Sequence, residues 1–513
     1  MTTTISLRWL LAASTFFFSI GCRQFTRPST ACAEVSDCLQ DEDCCGGQCV
    51  AFGATCVADA GDAGGEDAGI FDAGTGDAGP SDAGPVDAGP GDAGLATDAS
   101  SIAVISLDSG SSAESPAVAV DEAGRATVVW IQTSASTPRV WGRRFLPSSG
   151  WISASAVSTS GALPTAPQVA VGAGGNGWVV WLEGTMARVY GSPFGIDGVF
   201  GGPDLIERGQ GGTSSSGDVR IAVDNLGAGA ATWKREGRIY WNRLPGPGGA
   251  WNDAGEVTSD VDAGGRTPDV AINPLSGAAF VVFASGPAAG PDSVFLRRST
   301  SGVAWASASE RLDRSSSNAS RPRVAVNLNG NAIVVWDQPD QSTEARIWYS
   351  FLAGDAGAAW ADAGTVSVGT SSASNATVGM AGNGDAVVLW EQDSTPGIRA
   401  VWASQFRIGM VGSAPWTAPA ALSSPQADAG GAHIAVSPSG RAIATWIEPL
   451  ADGGRIMVST SDGGPFGGST EISVSSTLPT APAVASGPSD DAGGFVTWSG
   501  GDWPASVFAV RVK

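Results

Sequence analysis

Apolar and polar positions recur between residues 101 and 513 in a unit of about fifty residues that occurs eight times. Each unit holds an alternating run of the form P-x-V-A-V, a short turn ending in glycine, and a second run of the form A-x-V-V-W. Short runs of β-forming residues on either side of a turn predict a β-hairpin in every unit. The hairpins span 116–130, 167–181, 218–233, 268–283, 322–336, 376–390, 432–446 and 482–498.

Two further strands follow each hairpin. The third reads R-V-W or similar, and the fourth begins with an aromatic residue and ends in an aliphatic and a polar one, as in 151–158, 251–258, 360–367 and 416–423. Four strands per repeat is typical of one blade of a β-propeller. The sequence therefore predicts an all-β chain whose residues 101–513 form an eight-bladed β-propeller, with the tryptophans packed between blades.

The two ends of this region are complementary. The last unit supplies a third strand, 507–512, and then stops, whereas the segment 102–107 has the pattern of a fourth strand and precedes the first unit. We expect this N-terminal strand to complete the last blade and close the ring, which leaves no open sheet edge between the termini. A β-solenoid or two stacked sandwiches are alternatives, but neither explains the missing and surplus strands.

Charge separates the chain into regions. The 513 residues carry Lys+Arg 28 against Asp+Glu 50, a net charge of -22, which argues against a nucleic-acid partner. About ten of these acids lie in the Asp-Ala-Gly tract 58–100, which contains no base. Few apolar side chains and one sign of charge predict a disordered linker there. A calcium-binding repeat is the alternative, but the tract lacks its regular spacing.

Residues 1–21 have the pattern of an export signal, with Arg8 before an apolar run. The following Ser-Ile-Gly-Cys resembles the lipobox of bacterial lipoproteins, except that Ser19 stands where leucine is usual. That resemblance implies a lipid on Cys22, a lipidated segment 22–30, and outer-membrane sorting because Arg23 is not aspartate. We therefore expect an exported protein anchored to the outer membrane, on the cell surface or the periplasmic face. A soluble secreted protein is the alternative.

Six further cysteines fall within 31–57, a stretch too short for an apolar core, so we expect disulfides to stabilise it. Their spacing, C-x5-C-x5-C-C-x3-C-x6-C, resembles the knottin family. Spacing alone allows fifteen pairings. The resemblance implies Cys32–Cys45, Cys38–Cys49 and Cys44–Cys56. A zinc site is the alternative, but the stretch contains no histidine.

The domain order of signal, cysteine module, Asp-Ala-Gly linker and repeats resembles myxobacterial Asp-Ala-Gly-rich lipoproteins. The repeats also resemble bacterial propeller repeats with a V-A-V-x-x-x-G-x-A-x-V-x-W signature, and through them sialidase-type propellers. The sialidase turn motif does not match in detail, because the turn at Asp121–Gly124 is one residue longer. The resemblance therefore implies the fold and not the sialidase reaction.

Polar residues are periodic as well. Acids or amides close the second strands, at Gln132, Glu183, Asp337, Glu391 and Glu448. Arginines open the third strands, at Arg139, Arg188, Arg238, Arg346, Arg399 and Arg455. Ion pairs across each hairpin are one interpretation. The other is a ring of arginines around one opening that binds an anionic glycan, because guanidinium groups suit carboxylate and sulfate.

The sequence offers weak support for catalysis, because His433 is the only histidine and no nucleophilic triad can be assembled around it. We predict no catalytic residue, no cofactor and no metal site, and therefore no enzyme. The expected function is a monomeric, lipid-anchored recognition platform for protein or polysaccharide. A carbohydrate-active enzyme, hydrolase or lyase, with carboxylates in the funnel is the first alternative. A purely structural envelope component is the second.

Overall fold

The computed structural model describes Glu42–Cys45, Gln48–Ala51 and residues 102–513, apart from short gaps in the connections. The gaps are 108–109, 135–136, 160–162, 211–213, 245–248, 250, 259–263, 288, 301–303, 342, 355–358, 413, 452, 474–478, 488–492 and 502–503. The chain divides into two units, Met1–Asp87 and Ala88–Lys513.

In the first unit, Glu42–Cys45 and Gln48–Ala51 form an antiparallel hairpin that places Cys44 opposite Cys49. The predicted signal, the lipid site at Cys22, the three disulfides and the Asp-Ala-Gly linker lie outside the described residues or depend on side chains that are not described. They stay predictions.

The second unit confirms the predicted fold: it is all-β and contains eight sheets built around four strands each, one per repeat. The first strands are Ala113–Val120, Thr165–Val171, Ser216–Val223, Arg266–Ile272, Ser320–Val326, Ala373–Met380, Gly430–Val436 and Thr480–Ser486. The second strands are Ala126–Ser134, Gly177–Glu183, Gly229–Arg235, Ala279–Ser285, Ala332–Pro339, Ala386–Thr395, Arg441–Leu450 and Gly494–Gly500. The third strands are Thr137–Leu146, Arg188–Phe194, Arg238–Leu244, Ser293–Thr300, Ala345–Leu352, Ile398–Phe406, Gly453–Asp462 and Ser506–Val512.

The fourth strands are shorter than the sequence pattern predicts. They are Ala103–Val104, Ser155–Ala156, Asp204–Leu205, Gly255–Glu256, Glu310–Arg311, Gly364–Thr365, Ala420–Ala421 and Thr470–Glu471. At the end of these segments a side-chain oxygen, and not a backbone carbonyl, accepts the N–H of the third strand. In blade 1, the N–H of Val140 donates to Ser158 Oγ (2.9 Å), and Ser367 and Ser423 do the same in blades 5 and 6. Two extra pairings, Gly150–Trp151 and Ala304–Trp305, and a 3-10 helix, Ile408–Met410, complete the elements.

The core lies between blades, as the tryptophan pattern predicts. The aromatic residue that closes each A-x-V-V-W run has at most 1% of its surface exposed; these residues are Trp130, Trp181, Trp233, Phe283, Trp336, Trp390, Trp446 and Trp498. Trp336, for example, packs in one cluster with Val282 and Leu296 of the preceding blade. Its indole N–H donates to Gln338 Oε1 (3.0 Å), so the buried donor is satisfied.

The N-terminal strand closes the ring. Ala103–Val104 pairs antiparallel with the third strand of blade 8, Val104 opposite Phe508, and completes the sheet formed by the last three strands. Ile105 is fully buried with Trp130 and Val507 between blades 8 and 1. The two ends of the propeller region are therefore joined by backbone pairing and by a shared apolar cluster.

One hydrogen bond of this closure can be tested alone. Ser106 Oγ accepts the N–H of Val507 (3.1 Å), the same contact that Ser158 makes in blade 1. We expect Ser106→Ala to lower the free energy of unfolding by about 1 kcal/mol, because the Val507 N–H loses its acceptor. Denaturant unfolding measures this, with the exposed turn residue Ser148→Ala as the control. Equal effects of the two variants would contradict this role for Ser106.

Candidate functional site

The inner strands present one residue each to the propeller axis, at position x of P-x-V-A-V. In every blade this residue has the same register against the second strand and comes directly after a β-bulge of the first strand. Bulges bend a strand and re-aim its side chains. The eight residues are Ala117, Gln168, Arg220, Asp269, Arg323, Thr377, His433 and Ala483.

A cavity of about 650 Å³ opens at this ring. Position-x residues of blades 2, 3, 5, 6 and 7 line it, and residues from so many blades can meet only at the axis. The remaining wall comes from the bulges and the hairpin of blade 6: Arg321, Asn375, Ala376, Glu391, Arg399 and 430–432. This mouth is the end where first strands begin and second strands finish.

Glu391 is the carboxylate of this wall, and it is 4% exposed. It accepts hydrogen bonds from the N–H of Gly431 (2.8 Å), from Asn375 Nδ2 (2.8 Å) and from Arg399 (3.1 Å). A carboxylate has about four lone-pair positions, so one remains for a ligand. Gly431 has φ 65, a conformation that glycine adopts without strain, and it brings its N–H to Glu391.

Asp337 stands behind the cavity in blade 5, at the position that Glu391 occupies in blade 6. It accepts hydrogen bonds from Arg321 Nε (2.6 Å) and from the N–H of Asn375 (3.1 Å). Burial raises the pKa of Asp337 above its ordinary value, while Arg321 opposes the shift. Asn375 thus contacts both carboxyl groups, and Asp337 positions Arg321 on the wall.

These two acids depart from the repeat. The residue after the aromatic that recurs in each repeat is apolar in the second strands of blades 1, 2, 4 and 7, at Ile131, Leu182, Ala284 and Ile447. Only in blades 5 and 6 is it an acid. The packing of a blade does not require a carboxylate there, which is why this exception indicates a site.

His433 lines the cavity from blade 7, and its side chain is exposed to the solvent of that cavity. Desolvation lowers its pKa to about 4, the charges of Arg323 and Arg220 add to the shift, and Glu391 opposes it. The imidazole is therefore neutral at pH 7 and can accept a proton.

A pH profile of stability can test this environment. Unfolded His433 titrates near 6.5 and the folded form near 4, so between these values the unfolded chain binds more protons. Stability should therefore fall as pH falls from 6.5 to 4. The variant His433→Asn removes this titrating group, so its free energy of unfolding should fall less than that of the wild type, by about 1 kcal/mol at pH 4.5. This figure is reduced from that of a fully buried group because the side chain contacts solvent. Denaturant unfolding at several pH values measures the difference, and parallel profiles would contradict the assignment.

The arginines predicted at the third strands mostly pair with carboxylates of their own blade. Arg188 pairs with Glu207, Arg238 with Glu256, Arg346 with Asp340, Arg399 with Glu391 and Arg455 with Glu448. Arg139 lies opposite Gln132 in the strand register. Of the six, Arg399 lines the axial cavity. Third strands lie two strand spacings, about 9–10 Å, outside the inner ones, which keeps the six from forming a ring around the axis. Ligand binding by them stays a prediction.

The acids and amides that close the second strands make two different kinds of contact. Gln132, Glu183 and Glu448 accept the indole N–H of the buried tryptophan two residues earlier. Glu391 instead lines the cavity, and Asp337 binds Arg321 of its wall. The sequence pattern groups both kinds together, but their positions differ. The side chains that bind the indole come two residues after the tryptophan, whereas Asp337 and Glu391 come one residue after it.

Within the part of the chain that the structure describes, no group of three or more His, Cys, Asp or Glu side chains is arranged to hold a metal ion. None of the described helices is long and apolar enough to cross a membrane.

No protein-family model and no curated protein matches the chain. Solved structures do resemble it. A polysaccharide lyase, an ulvan lyase bound to a GlcA–Rha3S unit, is 13% identical, covers 66% of this chain and 91% of its own, and has a TM-score of 0.46. An α-L-arabinofuranosidase of Fusarium graminearum is 14% identical, with 57% and 92% covered and a TM-score of 0.38. An endo-arabinase from Bacteroides thetaiotaomicron is 17% identical, with 51% and 95% covered and a TM-score of 0.31.

The prediction from sequence that the chain is not an enzyme is corrected by this comparison, because the propellers that resemble it include a polysaccharide lyase and glycoside hydrolases. The prediction rested on the single histidine, and it overlooked acids and arginines that separate blades bring together. At these identities the likeness concerns the fold alone. What the chain does must be argued from its own cavity.

Proposed function

We propose that the chain is a carbohydrate-active enzyme whose reaction takes place in the axial cavity. The observation that supports this is the blade-specific cluster of Glu391, His433 and four arginines in a ring whose other positions follow the repeat. A propeller that served as a scaffold would need no charged residues at these positions. Clustered ionisable groups in a cleft are typical of catalytic sites.

The lining suits a sugar better than an apolar ligand. Gln168, Asn375 and Thr377 offer amide and hydroxyl groups between the charged residues. A saccharide presents hydroxyl groups in all directions, so it needs donors and acceptors on several sides. The volume of about 650 Å³ accommodates a few sugar units and lies within the usual range for ligand sites.

Glu391 and His433 are the groups we assign to proton transfer. Both line the cavity from adjacent blades, and the Gly431 N–H that binds Glu391 lies two residues before His433. A neutral imidazole can accept a proton, and a carboxylate can accept one or stabilise developing positive charge. In elimination His433 would accept the proton on the carbon next to a sugar carboxylate, and in hydrolysis it would accept one from the attacking water. The imidazolium so formed would then give that proton to the departing glycosidic oxygen, while Glu391 would stabilise the positive charge.

The experiment is a turnover assay with the purified protein on a panel of neutral and acidic polysaccharides. Reducing ends report cleavage of either type, and absorbance of an unsaturated sugar separates elimination from hydrolysis. The proposal expects at least one substrate to yield product with wild-type protein. Glycan bound without any product across the panel would refute the catalytic assignment.

We also propose that a lipid on Cys22 holds the chain at the outer membrane. Several acyl chains, each contributing about 0.8 kcal/mol per buried CH₂, would suffice for stable anchoring. A Cys22→Ser variant should then appear in the soluble fraction of exported protein, while wild type sediments with membranes. Equal distribution of the two would refute the anchor.

A further inference from the structure

Arg220 and Arg323 differ from most arginines of the described residues in having no carboxylate in direct contact. The Nη1 of Arg220 donates to the carbonyl of Val219 (3.0 Å), and that of Arg323 to the carbonyl of Pro322 (3.0 Å). Neither takes part in an ion pair among the described residues, whereas Arg321 and Arg399 on the same wall do. Each guanidinium carries five N–H groups, so most of its donors stay available to a ligand.

Two acids, Asp269 and Asp218, act electrostatically on Arg220, and neither forms an ion pair with Arg220 or Arg323. Asp269, at position x of blade 4, accepts the N–H of Val324 (3.1 Å) and is in no ion pair with a described residue. Its charge opposes the lowering of the Arg220 pKa, which burial causes first and to which Arg323 also contributes. Arg220 and Arg323 also both act on His433. Blades 3, 5 and 7 therefore direct two cations and an imidazole at one space.

Converging like charges are costly, because they repel each other and the interior of a protein screens that repulsion less than water does. This concentration of positive charge is found in a chain whose net charge is -22. Chain packing alone gives no reason for it, because Ala117 and Ala483 fill the equivalent positions of blades 1 and 8. A bound anion would remove the repulsion.

We propose that the axial cavity recognises a glycan that carries carboxylate or sulfate groups, with one such group bound between Arg220 and Arg323. This inference rests on the proposed function and names its substrate class. Both oxyanions accept the paired N–H groups of guanidinium, which is the chemistry they share. Arg321, fixed by Asp337, and Arg399, fixed by Glu391, supply further positive charge along the wall.

Three polymers with one backbone provide the test: dextran, dextran sulfate and carboxymethyl-dextran. Binding to the full chain is measured by calorimetry at two salt concentrations, because screening weakens a charge-driven complex. The acidic surface elsewhere should repel polyanions, so any binding reports a local site. We expect binding of at least one charged polymer and none of dextran. The stronger of the two identifies sulfate or carboxylate as the preferred group.

The variants Arg220→Gln and Arg323→Gln should each weaken that binding by about 10-fold to 100-fold, the loss of one charge-assisted contact. Arg314→Gln is the matched control, because its exposed side chain pairs with the exposed Asp362 and does not line the axial cavity. Absence of binding to both charged polymers, or equal losses in all three variants, would overturn the inference. Binding and cleavage of neutral glycans alone would overturn it while leaving the proposed function intact.

Discussion

A Glu391→Gln variant is expected to release product from a glycan substrate at least about 100-fold more slowly than wild type, because positioned proton-transfer groups contribute factors of this size. Glutamine is similar in shape and can still accept the Gly431 N–H, so the inner strand of blade 7 should keep its position. The loss should therefore appear mainly in kcat, with a smaller change in KM.

Glu183→Gln is the control for this experiment. Glu183 also stands at the end of a second strand, but it accepts the indole N–H of Trp181 (2.6 Å) and is not among the residues that line the cavity. Its variant should retain the wild-type rate. If Glu391→Gln turned over substrate as fast as wild type, Glu391 would have no part in the reaction.

Trp336→Ala is expected to lower the free energy of unfolding by about 3–5 kcal/mol, the usual cost of emptying the volume of a buried large aromatic. The side chain is fully buried, and it fills the space between blades 4 and 5 together with Phe280, Val334 and Leu352. Removing it also leaves Gln338 Oε1 without its indole donor. Guanidinium unfolding followed by circular dichroism measures the change.

The chain itself offers the matched control, because Phe283 occupies the same repeat position in blade 4 and is equally buried. Trp336→Phe should therefore lose less than half as much stability as Trp336→Ala, since most of the apolar contact persists. A loss below about 1 kcal/mol for Trp336→Ala would contradict inter-blade aromatic packing as a main source of stability.

The fold could be predicted because the same strand pattern occurs in eight repeats. One weak strand pattern would be ambiguous, but the same alternation at a fixed period, with a surplus strand at one end and a missing strand at the other, allows one closed arrangement. Ser106 illustrates this: it stands in the segment before the first repeat and makes the contact on Val507 that Ser158 makes on Val140.

The lengths of the fourth strands were overestimated for a physical reason. The sequence pattern of 151–158 contains residues of β-type, but the fourth strand covers only Ser155–Ala156. Val157 still donates its N–H to the carbonyl of Val140 (2.8 Å), and after it Ser158 accepts the N–H of Val140 with its side-chain hydroxyl (2.9 Å). A hydroxyl that replaces a backbone acceptor does not alter the apolar alternation, so the pattern could not show it.

The cavity could not be predicted because its residues are about fifty positions apart and each occupies an unremarkable place in its repeat. Arg220, Arg323 and His433 share the second letter of P-x-V-A-V, which the repeat leaves variable. Knowing that inner strands point this residue at the axis requires the bulge before it, where Arg321 and Asn375 have positive φ values of 51 and 58. The third-strand arginines are more conspicuous in the sequence because they recur, and most of them form ion pairs within their own blade, with carboxylates of the hairpin or of the fourth-strand segment.

A crystal structure of the protein with an acidic oligosaccharide that it binds would test the central claim most directly. We predict sugar density in the axial cavity, with a carboxylate or sulfate between the guanidinium groups of Arg220 and Arg323 and a glycosidic oxygen facing Glu391 or His433. An oligosaccharide bound on the outer face of a blade, with the axial cavity holding solvent alone, would contradict the account.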